Sequence, residues 1–205
     1  MSRDRLGRME LRDAIRHRRM VRTFDPARPV PREVLDRILH AGTRAPSGGF
    51  SQGQAWLVLE GAELARFWEF GIAGSGESAA ATAPLVVVPF SCKDIYLDRY
   101  ARPDKGWTDR SEARWPVPFW HIDTGMATML QLLTAVDEGL GAFYFGIIPE
   151  QVQPFRDAYG VPPEYEPIGA VAIGYDAETE KRSLRAMRRP IEEQLHWGTW
   201  GGKQP

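Results

Sequence analysis

Cysteine is nearly absent: Cys92 is the single one in 205 residues. One thiol excludes an internal disulfide and any metal site built from cysteines. Histidine is scarce as well. His17, His40, His121 and His196 are scattered, with no HExxH or CxxC spacing, so no metal site is expected. The chain has no GxSxG elbow, no GxxxxGKS or GxxxxGKT phosphate loop, and no GxGxxG following a strand. Serine hydrolysis and two common routes to nucleotide binding lose their support. No apolar run approaches the roughly 20 residues of a membrane helix. The N-terminus has no apolar signal core. A soluble cytoplasmic protein is expected, with no membrane partner.

Net charge is also lacking. The chain carries 26 basic and 27 acidic side chains, a formal charge of −1. No global field draws in nucleic acid. The balance hides a separation. Residues 1–22 hold eight arginines against Asp4, Glu10 and Asp13, and residues 181–189 hold five basic residues and no acid. Two basic ends on a neutral protein can form one local anion site. Lysine is rare, four against 22 arginines, so part of this pattern is a compositional preference for arginine.

The length suits one domain, 1–205, large enough for a core without staples. Hydrophobic residues make up 43% and charged residues 26%, so the chain reads as globular throughout. Helices are expected at residues 9–19, where Met9, Ala14 and Ile15 share a face, and at 32–43, with Val34, Leu35, Ile38 and Leu39 on one stripe. Strands are expected at 56–60, at the apolar run 84–90, at 142–148 and at 168–175. A short helix fits 63–70 and another 149–159. The strongest helix is 122–136, whose apolar residues exceed one stripe and predict burial on several sides. Gly139 and Gly141 stop it. Residues 94–118 show no period and read as a long irregular loop, a candidate substrate wall lined by Tyr96, Tyr100, Trp107 and Trp115, with Trp120 just beyond; dimer packing explains these aromatics equally well. Cys92 follows the apolar run and reads as a buried structural thiol. Residues 1–8 are expected to be flexible. The tail 177–205 is too apolar around Leu195–Trp200 to stand free, and docking on a second subunit is one solution.

Three short signals fit one ligand. Arg18, Arg19 and Arg22 close the first helix; on a continuing helix, Arg18 and Arg22 would point the same way and could clamp a phosphate. A solvated basic face explains them equally well. Pro46, Ser47 and the glycines after them form a loop that a flat ligand could approach closely. Gln52 and Gln54 add amides suited to a heterocycle edge.

In order along the chain, 14–24 (AIRHRRMVRTF), 45–47 (APS) with 52–56 (QGQAW), 123–141 ending in EGLG, 168–175 (IGAVAIGY) and 188–197 (RRPIEEQLHW) resemble the motifs of the FMN-dependent nitroreductase family. The resemblance implies an α+β, three-layer α/β/α sandwich forming an intertwined homodimer, with FMN at the dimer interface. It implies that Arg18, Arg19, Met20 and Arg22 form the first flavin segment and that Arg188, with Arg185 or Arg189 nearby, reaches the phosphate. Pro46 and Ser47 would lie under the ring system of the flavin bound by the other subunit, Gln54 and Gln52 would match the family's glutamine and asparagine, and the backbone of Phe145 and Gly146 would face flavin N5. No side chain is implied as catalytic. NAD(P)H would be co-substrate, and the acceptor a nitroaromatic, quinone or enone. The sequence departs from the pattern at Met20, where serine is common, in the longer loop 48–51, and in the bulky 142–148 segment. Other branches act as dehydrogenases or dehalogenases or use a deazaflavin. A non-catalytic flavin store or sensor is a further alternative, with Phe143, Tyr144 and Phe145 blocking the flavin face.

Overall fold

The computed structural model describes residues 9–71, 77–180 and 184–203, with the backbone alone described at 77, 78 and 185. The expectation for residues 1–8 lies outside these. The centre is β2 (Leu85–Cys92), whose eight residues are all buried, as a continuous apolar run requires. It pairs with β1 (Gln54–Glu60) on one side and β5 (Ala170–Gly174) on the other, with Val87 opposite Val58 and Val171. β3 (Gly141–Phe145) adds to β5, giving the order β1-β2-β5-β3, and every pairing is antiparallel. β4 (Tyr165–Pro167) pairs with the end of β2 at Phe90–Cys92.

The period of two along these strands builds two cores. Val86, Val88 and Phe90 face α3 (Gly61–Glu69) and α7 (Pro149–Ala158) through Leu64, Phe67 and Phe155. Leu85 and Val87 face α2 (Arg32–Gly42) and α6 (Phe119–Asp137) through Leu35, Ile38, Leu132 and Ala135. The layers are helix, sheet, helix, as the resemblance implies. α1 (Leu11–His17) rests on α6 through Met9, Ala14 and Val136. A short helix, α4 (Glu77–Ala80), precedes β2. Among the described residues no helix is long and apolar enough to cross a membrane.

The structure adds to and changes several expectations. Residues 94–118 are not one irregular loop: α5 (Lys93–Tyr100) occupies their start, and short 3-10 turns follow at Pro103–Lys105 and Glu112–Arg114. The short strand β4 was not legible. Ile15 is exposed rather than packed. α6 is covered by the sheet, α2 and α1, but Ile122, Met126 and Met129, at i, i+4 and i+7, stay exposed in the single chain. The Cys92 thiol is buried, as expected, and burial pushes its pKa up.

Candidate active site

Two segments carry the expected ligand residues, and each is positioned differently. α1 ends at His17, and Arg18 is already extended (φ −58°, ψ 117°). Arg18 and Arg22 are therefore not on a helix. In an extended run positions 18, 20 and 22 share a side by a period of two, so the same grouping arises from a different geometry. The run is held by a parallel bridge between Met20 and Ala142, and the Val21 N–H donates to the Ala142 carbonyl at 3.0 Å.

The glycines after α6 make that docking possible. Gly139 (φ +79°) ends the helix, with the Gly139 N–H on the Val136 carbonyl and the Leu140 N–H on the Ala135 carbonyl, a Schellman cap. Gly141 then lies under Val21: a Cβ there would meet the Val21 side chain at 2.8 Å. Gly141 is small because the arginine segment must come this close.

Arg18, Arg22 and Arg188 line one cavity of about 460 Å³, together with Met20 and Leu184. The two basic ends of the chain do meet. Arg18 Nη1 is buried without a hydrogen-bond partner. Arg22 lies 4.7 Å above the Phe143 ring, and among the described residues its side chain hydrogen-bonds only the Met20 carbonyl, at 3.4 Å. Arg19 also borders the cavity but is engaged otherwise: its guanidinium is held by Asp176 and Glu178. Glu178 further accepts the Arg22 backbone N–H at 2.5 Å, and Glu180 lines the cavity as well. Arg16 borders the cavity as well, so Arg16, Arg18, Arg22 and Arg188 are its lining cations not held by a carboxylate among the described residues, and a buried guanidinium N–H without a partner is costly unless a ligand meets it. The side chain of Arg185 lies outside the described residues. Arg189 pairs with Glu193 at 3.4 Å.

None of Pro46, Ser47, Gln52 and Gln54 lines that cavity. They form a second region, the loop after α2 and the start of β1. Its backbone is strained: Gly49, Phe50 and Gln52 all have positive φ, two of them without the freedom of glycine. Such a conformation costs about 1–2 kcal/mol per non-glycine residue, so something must hold it. Inside the loop, Ser47 Oγ accepts the Gln52 N–H at 3.0 Å and the Ser51 hydroxyl donates to the Gly48 carbonyl at 2.6 Å. From outside, Asp123 Oδ2 accepts the Gly48 N–H at 2.8 Å and the Tyr96 hydroxyl at 2.7 Å, while Arg99 Nε donates to the Gly49 carbonyl at 2.9 Å. Burial, then the Asp123 carboxylate, pushes the Tyr96 phenol well above its ordinary pKa, so it stays a donor. Gln54 Oε1 is buried and without a partner.

The aromatics of residues 96–120 serve this same loop. Tyr96 is fully buried and meets Trp115 and Trp120 edge-on, and Tyr100 packs on Gly49, where a Cβ would meet its ring at 2.7 Å. Trp107 and Trp115 pack on Tyr100. They form a small core behind the loop.

At the end of β3, Phe145 is buried between Phe67, Trp68 and Phe143. The Tyr144 hydroxyl donates to the Ile168 carbonyl. Phe145 is thus committed to packing, while Phe143 and Tyr144 stay half-buried. Gly146 is exposed, and a Cβ there would meet nothing within 4 Å, so its backbone is open to a ligand. Among the described residues no cluster of His, Cys, Asp and Glu could hold a metal. Ser91 Oγ and His121 Nδ1 lie 2.8 Å apart, but Ser91 is sealed from solvent, so the pair ties β2 to α6.

The sequence missed Asp123, Arg99 and the Asp176–Glu178 pair, and it singled out Tyr96 as substrate wall rather than as a support of the loop. A buried Asp at position 123 of an otherwise apolar helix was the only available signal.

The model of the nitroreductase family matches residues 15–74 and 72–175, most of the chain. The chain belongs to the nitroreductase family. Among its relatives, a candidate NADH dehydrogenase/NAD(P)H nitroreductase of Methanothermobacter thermautotrophicus is 28% identical over 178 residues, covering 85% of this chain and 81% of the relative. Solved structures share the fold. A candidate NAD(P)H:FMN oxidoreductase of Staphylococcus epidermidis superimposes with a TM-score of 0.72 at 22% identity, over 96% of this chain and 100% of the other. A candidate nitroreductase of Exiguobacterium sibiricum, solved in complex with FMN, gives 0.70 at 20% identity, over 92% and 97%. This nitroreductase family member spans 81% of the Methanothermobacter relative and 97–100% of the two solved chains.

Proposed function

We propose that the chain is an FMN-dependent oxidoreductase using NAD(P)H to reduce an electron-poor small molecule, a nitroaromatic, quinone or enone, by a ping-pong mechanism. The observation that carries this reading is the convergence of Arg18, Arg22 and Arg188 on one cavity, with Arg18 Nη1 buried and unpartnered. That donor set suits a phosphate monoester, since guanidinium groups bind phosphate by forked hydrogen bonds. Relatives named for NAD(P)H and a related fold solved with FMN support the choice of cofactor.

When bound, FMN supplies the hydride-accepting and hydride-donating chemistry. The chain's residues bind and orient. Arg18, Arg22 and Arg188 neutralise the phosphate, and Met20 lies between the first two. The open backbone at Gly146 offers an N–H to the ring system, and Gln54 a buried amide oxygen seeking a donor. Ser47 keeps its hydroxyl proton to donate, because its oxygen accepts from Gln52. No side chain need act as nucleophile or general acid.

The proposal includes a homodimer. Ile122, Met126 and Met129 on α6, and Leu195, Trp197 and Trp200 on the tail, are exposed, with Trp200 at 90%. Apolar surface of this extent suits a protein partner. The tail would lie on the second subunit, and the 46–54 loop would serve the other subunit's flavin.

Purified protein reconstituted with FMN should show the visible absorption of an oxidised flavin and bleach under anaerobic NADH or NADPH. Addition of a quinone or nitroaromatic should restore the colour. A colourless protein that takes up no FMN, or a yellow one that neither nucleotide bleaches, would overturn the reading.

A further inference from the structure

The 47–52 loop holds a strained backbone, yet its own hydrogen bonds close only within it. Its outside support comes from Arg99 on the Gly49 carbonyl and from one buried carboxylate 75 residues away in sequence. Asp123 is 3% exposed and accepts two donors on the same oxygen, the Gly48 N–H and the Tyr96 hydroxyl. The two donors come from different elements, the loop itself and α5. Gly48 opens the turn that carries Phe50 and Gln52 into the left-handed region. Tyr96 is locked in the aromatic core and packs against Gly53, where a Cβ would meet its ring at 2.6 Å. A buried carboxylate with two directed donors is a rigid joint, because losing either donor leaves buried acceptor capacity unmet. The joint also sits beside Ile122 on α6, whose exposed stripe is the proposed dimer face.

We infer that Asp123, through the Gly48 N–H and Tyr96, is a positioning residue that pre-sets the 47–52 loop in its ligand-receiving shape before the flavin arrives. The inference rests on the FMN reading above. Preorganisation of this kind raises affinity by removing the ordering cost of binding. Asp123 touches no ligand itself; it acts through Ser47, Gln52 and the backbone between them.

The test compares wild type, Asp123→Ala, Asp123→Asn and Tyr96→Phe by two readouts. Amide hydrogen exchange over 47–52 in the flavin-free protein reads the joint directly. FMN titration reads its consequence. Asp123→Ala should speed exchange at 47–52 while β1 and the C-terminal half of α6 keep their protection, and should weaken FMN binding by about tenfold or more. Tyr96→Phe should do the same to a smaller extent. Asp123→Asn, which keeps an acceptor oxygen, should stay within about threefold of wild type on both readouts. If Asp123→Ala does not fold, Tyr96→Phe and Asp123→Asn carry the same comparison. Unchanged exchange and FMN affinity in Tyr96→Phe and in folded Asp123→Ala would overturn the inference. A wild type that binds no FMN would instead overturn the flavin reading, while the exchange result would still decide whether Asp123 holds the loop.

Discussion

The arginine segment 18–22 and the loop 47–52 are built in opposite ways. In the first, the backbone is relaxed and pinned by main-chain contacts to β3, leaving charged side chains turned to a cavity. In the second, the backbone is strained and pinned by side chains from α5 and α6, leaving main-chain groups and small polar residues at the surface. One segment stores its binding capacity in charge, the other in shape. Charge placed by a strand survives small shifts, because a guanidinium on a long stem can follow its ligand. Shape held by a distant carboxylate does not. The arginine segment should therefore govern affinity for the anionic part of a ligand, and the loop should govern fit to its flat part.

The largest way to break the comparison is to delete residues 184–203 and beyond. This removes Arg188 from the cavity together with the exposed apolar residues of the tail. Light scattering should then report a monomer, and FMN retention should be lost. A truncated chain that stays dimeric would refute the proposed role of the tail.

Next in size is Gly141→Val. The added side chain would run into Val21, where even a Cβ comes within 2.8 Å. Overpacking of this kind costs about 1–3 kcal/mol, and thermal unfolding should show it. FMN affinity should fall as well, because the arginines ride on the displaced segment. Unchanged melting and affinity would mean that the seat under Val21 yields freely.

The smallest effect sharpens the loop side. Phe50 is 73% exposed and left-handed (φ +55°), so it loses little packing when truncated. Phe50→Gly should relieve the backbone strain and change stability by no more than about 1 kcal/mol, because the greater freedom of glycine in the unfolded chain offsets part of the gain. A loss well above that, read by denaturant unfolding, would show that the ring itself holds the loop.

The contrast also explains what the sequence disclosed. The central strand and the long helix, expected from Ile122 and observed from Phe119, were legible because hydrophobic period and run length are local signals, while the layer order came from the family resemblance. The two basic ends were legible because charge segregates visibly along a chain, but Arg188 was picked out only by the family resemblance, and the helix expected to align Arg18 and Arg22 ends at His17. α5 was not legible: its buried residues, Tyr96 and Leu97, are adjacent, so no helical stripe forms, and charges fill the rest. β4 is three residues long and ends in Pro167, too short for a pattern. Asp123 was hidden for a related reason. Its two donors lie 27 and 75 residues away, and nothing local announces a contact that only the packing of α5 and α6 creates.

The most direct measurement is the affinity of the wild-type chain for FMN against riboflavin, which lacks the phosphate, repeated with Arg18→Ala and Arg188→Ala. With the three arginines on the phosphate, wild type should prefer FMN by about a hundredfold or more, and each substitution should cost about 1.5–3 kcal/mol of FMN binding while leaving riboflavin binding unchanged. Equal affinity for the two ligands in wild type, or an equal loss for both in the variants, would contradict the meeting of the two basic ends on one phosphate.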